Sequence, residues 1–313
     1  MPMLRRRRRD RAARAYADEP SLLTPELAAR VRRLEIRTRH VAAALLSGNY
    51  RSLFRGSGIE FSEAREYVVG DDVRRIDWNV TARTGTPWVK EFVEERELTV
   101  ICAVDVSASQ RVAQPQSGRL GAAAELAALL GFAAVQNHDR AGLLTFSDRI
   151  EHFVPPRHGT KHVLRIMRDI LLQTRAHGGT RIAAATDYLQ RVLPRRSVVF
   201  LISDWFDDGY ARSLRLLAQR HDVVALVLVD PVDLELPDMG LVEVEDAESG
   251  ARLLVDSANR GVRERYAAAA RTRAARRSEQ IARAGVDEVV IRLDRDLLAP
   301  VAAYFRARAR GRR

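Results

Sequence analysis

The feature that most constrains this chain is a nearly unbroken apolar run, residues 98–104, that stops at Asp105. A strand with no polar face has to be covered on both sides, and such strands belong to parallel sheets sandwiched between helices. The rest of the sequence repeats the theme. Short apolar runs recur at 141–146, 198–202, 223–229 and 288–291. Between them, helical spacing of apolar residues appears at 120–135, 163–172, 182–192, 211–220 and 263–284. Strand–helix alternation of this kind predicts an α/β fold with a doubly wound, mostly parallel, Rossmann-like sheet. Residues 243–245 and 252–255, joined across Glu248-Ser249-Gly250, read as an inserted β-hairpin near 231–256.

The sequence upstream of residue 98 is different in kind. Thr24-Pro25-Glu26 has the order of an N-cap, a first-turn proline and a first-turn acid. Leu27, Val31, Leu34, Val41, Leu45 and Leu46 continue that helix, and Gly48 is a suitable stop. Residues 56–97 carry turn points at Gly56, Gly58, Gly70 and Gly85, with extended pieces near 66–69 and 88–93. Trp78 and Trp88 lie in this stretch, which therefore reads as packed structure rather than linker. The expected organisation is a disordered basic tail (1–24), an N-terminal helix with a small β-rich domain (25–97), the α/β domain (98–305) and a basic tail (306–313).

Charge decides less than its total suggests. The 313 residues carry a formal +11. Residues 1–20 hold seven Arg against Asp10, Asp18 and Glu19, and residues 304–313 hold five Arg and no acid. Most of the excess therefore sits at the ends. Lys90 and Lys161 are the only lysines, so the positive charge is nearly all arginine. Solvated ends account for that pattern better than phosphate contacts do, which argues against nucleic acid as the main partner. Cys102 is the only cysteine, so an intrachain disulfide and a cysteine-rich zinc site are both excluded. Glu125 interrupts the longest apolar stretch, and the N-terminal arginines lead into further charge, so neither a membrane span nor a secretory signal is expected. The expectation is a soluble cytoplasmic protein with no transmembrane segment.

Enzyme signatures are largely missing. Lys90 follows Val89 and Lys161 follows Thr160, so no Walker A lysine follows a glycine. The hydrolase elbow Gly-x-Ser-x-Gly is absent as well. What the sequence does offer stands at strand ends. Asp105-Val106-Ser107-Ala108-Ser109 follows the first buried strand, Gly178-Gly179-Thr180 presents a hydroxyl before a helix, and Asp204 follows the strand at 198–202. In an open parallel sheet, ligands bind beyond the carboxyl ends of the strands. Two carboxylates and three hydroxyls form an all-oxygen set that suits Mg2+ or Mn2+. The competing explanation is that these residues cap turns and helices, a use in which Ser, Thr and Asp are common.

Asp105-x-Ser107-x-Ser109, Thr180 and Asp204 resemble the metal-ion-dependent adhesion site of von Willebrand factor type A domains. Upstream, Gly56-Ser57-Gly58-Ile59-Glu60-Phe61, Arg65-Glu66-Tyr67, the run Gly70 to Trp78, Ala82-Arg83 and Val89-Lys90-Glu91-Phe92 are similar to the signature of the bacterial domain of unknown function 58 family. The resemblance spans about residues 25–300. It implies a type A domain that binds Mg2+ through Ser107, Ser109 and Thr180 directly, and through Asp105 and Asp204 by way of water. It also implies an acidic protein ligand and a MoxR-type AAA+ ATPase as partner, in protein assembly or maturation. The chain departs from the type A pattern at Gln110, where methionine is common, and at Arg181, where an acid is common.

The reading is thus a non-enzymatic protein-interaction module. The alternatives are a metal-dependent hydrolase built around Asp105, or nucleic-acid binding through the Arg-rich ends and residues 263–283. Against the first, Ser107 occupies the position where phosphotransferases of this layout place a second carboxylate. His158 and His162 are four residues apart but lack a third ligand nearby in sequence.

Overall fold

A computed structural model of the chain describes residues 25–46, 60–93, 97–111, 118–173, 178–245 and 250–310. In chain order its main elements are α1 (Pro25–Leu46), β1 (Glu60–Glu66), α2 (Trp78–Thr84), β2 (Trp88–Val93), β3 (Thr99–Asp105), α3 (Arg119–Gln136), β4 (Arg140–Phe146), β5 (Ile150–Arg157) and α4 (Thr160–Leu171). They continue with α5 (Ile182–Val192), β6 (Val198–Ser203), α6 (Ala211–Arg220), β7 (Asp222–Val229), β8 (Leu241–Glu245), β9 (Arg252–Asp256), α7 (Arg260–Arg283), β10 (Asp287–Arg292) and α8 (Leu298–Arg310).

The central sheet has six strands in the order β10-β7-β6-β3-β4-β5. All neighbours run parallel except β5, which pairs antiparallel with β4 at one edge. The apolar runs predict this burial: from Val100 to Asp105 every residue of β3 is buried, as is the whole of β6. Alternate residues feed two cores. Val100, Cys102 and Val104 face α3, α4 and α8, whereas Ile101 and Ala103 face α5, α6 and the end of α7. The expected α/β class is therefore what the chain adopts. The chain winds one way from β3 through β4 and the other way from β6 through β7, which puts the topological switch between β3 and β6. Cys102 lies deep in this sheet, and burial pushes its thiol up to about 12, so it behaves as a small core residue.

Two parts of the fold differ from the sequence expectation. Helix α1 packs on the α/β body instead of keeping company with β1 and β2: Ala42 is buried in the main core, with Val31, Leu34 and Val41 against it. Its Arg37 also meets Glu125 at 3.2 Å, answering the one acid inside α3. Helix α3 itself, 18 residues at a mean hydropathy of 1.2, is long and apolar enough to cross a membrane. The share of it buried in the fold, 78%, explains that composition as core. The basic segment 306–313 is not simply a tail, because α8 continues to Arg310 and Arg308 bonds Asp222 at 2.5 Å. Residues 1–24 and Gly48 lie outside the described residues.

The small upstream sheet pairs β1 with β2 antiparallel. Its charged run is an internal framework. Arg65 grips Asp71 through two bonds of 2.7 and 2.8 Å, and Asp77 caps α2 by accepting from the Asn79 and Val80 amides at 3.0 and 3.3 Å. Trp78 does not pack as its residue type suggests; it is 70% exposed. The predicted hairpin is present as β8 paired with β9.

Candidate functional site

Asp105 ends β3, and its carboxylate is fully buried at the switch point. Donors from three segments hold its two oxygens. Oδ1 accepts from the Ser107 amide at 2.9 Å, which folds the chain back so that Ser107 stands beside Asp105. Oδ2 accepts from Ser203 Oγ at 2.7 Å, Thr180 Oγ1 at 3.3 Å and Gln110 Nε2 at 3.3 Å. Burial pushes the Asp105 carboxyl above the ordinary carboxylate range, the charge of Asp204 adds to that, and bonds from Ser203 and Ser107 oppose it.

The hydroxyls converge. Ser107 Oγ lies 3.1 Å from Ser109 Oγ and 2.9 Å from Thr180 Oγ1. Thr180 reaches this point because Gly178 turns the chain with φ of +72°, a conformation that disfavours side chains. A Cβ on Gly178 would also stand 2.6 Å from the Asp148 carboxyl. Asp204 lies two residues beyond the Ile202 end of the predicted strand and is buried. Its Oδ1 accepts from the Phe206 amide at 3.2 Å, while Oδ2 is buried without a hydrogen-bond partner. Burial raises the Asp204 carboxyl too, with Arg119 the main opposing influence.

Every residue predicted for the site, Asp105, Ser107, Ser109, Thr180 and Asp204, belongs to this one cluster. The structure adds members that pattern reading missed. Arg119 begins α3 and is buried; it donates to the Ser109 carbonyl at 2.9 Å and to both oxygens of Asp233 at 2.5 and 2.6 Å. Its Nε stands 3.8 Å from Asp204 Oδ2, an ion pair and not a hydrogen bond. A lone arginine opening an otherwise apolar helix is the signal that could have found it. Ser203, the last residue of β6, was hidden by its neighbour Asp204. Trp205 is held at φ of +61°, although it is bulky and buried, and Ser203 Oγ accepts its amide at 3.0 Å. Strain of that kind collects where geometry is dictated by a site.

Arg181, expected beside the hydroxyls, is exposed, and its charge acts on Asp207. Asp207 itself accepts from the Ile182 amide at 2.7 Å. His158 and His162 do not meet: His158 accepts from Arg140 Nε at 3.1 Å at the surface, while His162 is buried.

The donor set can be tested against a cation directly. Oxygens about 2.0–2.1 Å from an octahedral Mg2+ and at right angles to one another stand about 2.9 Å apart. The hydroxyls are hydrogen-bonded to one another at 2.9 and 3.1 Å, spacings that an octahedral Mg2+ could also bridge. Asp204 Oδ2, buried and, among the described residues, ion-paired to Arg119 at 3.8 Å without a hydrogen-bond partner, leaves acceptor capacity unused. The residues therefore fit a small hard cation held mostly by hydroxyls. Among the described residues, no three of His, Cys, Asp and Glu gather into a metal-ligating group, which sets this site apart from carboxylate-rich ones.

Comparison with known proteins agrees on the family. The family model "Protein of unknown function DUF58" matches residues 63–276. An uncharacterized protein of Mycobacterium tuberculosis, Rv1480, is 37% identical over 309 residues, covering 96% of each chain. An uncharacterized protein of Mycobacterium avium is 34% identical over 163 residues, which is 50% of this chain and 95% of that one. Among solved structures, BatB of Bacteroides thetaiotaomicron has 20% identity and a TM-score of 0.46, covering 68% of this chain and 99% of its own. The SpRpn10 VWA domain has 13% identity and a TM-score of 0.36, covering 66% and 94%.

Proposed function

The chain belongs to the DUF58 family of proteins of unknown function, and from that premise we propose that it is a non-enzymatic protein-interaction module with a metal-dependent adhesion site. The observation that carries the reading is the hydroxyl triad: Ser107 Oγ sits 3.1 and 2.9 Å from Ser109 Oγ and Thr180 Oγ1, at the spacing of adjacent ligands on Mg2+. Ser107, Ser109 and Thr180 hold the ion, Mg2+ or Mn2+, and Asp105 and Asp204 act on it through water. When bound, the ion supplies a positive centre with a coordination position open to an outside oxygen. Neutral hydroxyls leave that centre electron-poor, so an acidic side chain on a partner is the preferred guest.

The chain's own residues do the positioning. Ser203 and the Ser107 amide fix the Asp105 carboxylate. Arg119 ties the Ser109 carbonyl to Asp233 and so anchors the loop that carries Ser107 and Ser109. Among the described residues, the hydrogen-bond partners of Asp105 are hydroxyls, an amide and a carboxamide. None of these is a base, which favours binding over hydrolysis.

The partner, on the resemblance of the sequence, is a MoxR-type AAA+ ATPase in the cytoplasm, with this chain acting as adaptor in protein assembly or maturation. The test is co-purification of the chain with the MoxR-type ATPase of its own genome. Capture that is lost with EDTA and in Asp105→Ala or Ser107→Ala supports the reading. Capture indifferent to both the chelator and the substitutions contradicts it.

A further inference from the structure

Beside the hydroxyl cluster, α7 presents an arginine whose partners are aromatic rings instead of acids. The Arg273 guanidinium lies 5.9 Å from the centre of the Phe206 ring and 6.0 Å from that of Tyr266. Most other arginines of α7 are answered by carboxylates: Arg260 by Glu264, Arg263 by Asp238, Arg276 by Asp208, Arg277 by Glu288 and Arg283 by Glu279. Arg273 is exposed and, among the described residues, meets no acid. A guanidinium that meets ring faces and no acid keeps N–H donors for an outside carboxylate, which it can take through two parallel bonds.

Both rings are wired to the site. The Phe206 amide donates to Asp204 Oδ1 at 3.2 Å. The Tyr266 hydroxyl donates to the Val232 carbonyl at 2.7 Å, and the next residue, Asp233, grips Arg119. Arg273 is thus linked through Phe206 to Asp204 and through Tyr266 to the segment that carries Asp233. Phe206 is 42% and Val232 51% exposed, so the ground around it is open and apolar.

We propose that Arg273, set between Phe206 and Tyr266, is a second anion subsite that binds a further carboxylate of the same acidic peptide whose first carboxylate enters the hydroxyl cluster. The inference rests on the proposed adhesion-type function and adds the ligand's chemical class: a peptide segment with two acidic side chains close together. An unpaired, pre-oriented guanidinium beside a cation site discriminates di-acidic from mono-acidic sequences, because only the former can use both positive centres at once.

The test uses the full chain with fluorescent Gly/Ser peptides that contain either one Asp or two Asp separated by one to four residues. Affinities are measured in Mg2+ and again in EDTA. The expected result is that, at the best spacing, the di-acidic peptide binds about tenfold more tightly than the mono-acidic one, as for a charge-assisted bidentate pair. That ratio falls toward one in Arg273→Gln and lies between the two in Arg273→Lys, which keeps charge without the planar fork. Arg271→Gln, a nearby exposed arginine outside the cluster, leaves the ratio as in wild type. Thermal melting of the Arg273 variants checks that they fold. A ratio near one in wild type, or a ratio unchanged in Arg273→Gln, overturns the proposal. Mono-acidic binding that ignores EDTA overturns the metal reading instead, and the ratio then still decides the role of Arg273. No binding of either peptide overturns both.

Discussion

Asp105 and Asp204 illustrate what a site asks of single residues. Two carboxylates buried at one point raise each other's proton affinity, and the fold answers with Ser203, the Ser107 amide and Arg119 rather than with a lysine or histidine. Such a pair costs stability in the absence of a cation. Asp105→Asn tests this. Asn keeps the acceptor for the Ser107 amide, and its two N–H groups can be met by Ser203 Oγ, reversed to accept, and by Gln110 Oε1, which among the described residues has no partner. The expected outcome is a gain of about 1 kcal/mol in EDTA by urea unfolding, together with loss of any stabilisation by added Mg2+. His221 gives a second residue-scale prediction. It is buried, accepts from the Ser197 amide at 3.3 Å, and burial with help from Arg220 and Arg196 lowers its pKa to about 4 from the ordinary 6.5. The unfolded chain takes up this proton first, so the neutral-His contribution is complete above pH 6.5 and is lost as pH falls toward 4. The loss is on the order of 2–3 kcal/mol. Unfolding midpoints measured from pH 7 to pH 4 are expected to fall less steeply in His221→Gln.

Elements were legible where local pattern and tertiary context agreed. The runs behind β3, β4, β6 and β7 could only be strands covered on both faces, and the helices between them carried 3.6-residue periodicity. Asp105, Ser107, Ser109 and Asp204 were read from the rule that parallel sheets bind at their carboxyl ends, and Thr180 from a glycine turn before a helix. Strand β5 was not visible, because Pro155 and Pro156 argue against a strand. Its position explains the exception: it is the antiparallel edge strand, half in solvent, where a missing amide is tolerated. Helix α8 was masked by charge. Arg306, Arg308 and Arg310 read as a tail, while Leu298, Val301, Ala302 and Phe305 lie at core spacing and are buried. Asp233 owes its role to a contact distant in sequence, so no local signal assigned it. Phe305 stacks edge-on with Phe200 at 6.2 Å in the main core. Phe305→Ala is expected to cost about 3–4 kcal/mol in urea unfolding with an unchanged slope. A loss under 1 kcal/mol would show that α8 is an appendage and not part of the core.

Across the whole molecule, several arginines tie one element to another. Arg37 pins α1 to α3, Arg65 closes the turn after β1, Arg119 ties two site loops, and Arg308 secures α8 to β7. Charge used in this way holds elements together. Arg273, near the Phe206 and Tyr266 rings, is used differently. The α/β body therefore serves as a rigid frame that brings five oxygen-bearing side chains to the β3–β6 switch point and leaves an open rim around them. The central claim is that this cluster is a cation site. Isothermal titration of Mg2+ and Mn2+ into the EDTA-treated full chain, with Ser107→Ala alongside, tests it most directly. The account predicts saturable binding at one site, lost in the variant. Heats no larger than dilution in the wild-type chain, or equal binding in Ser107→Ala, would contradict it.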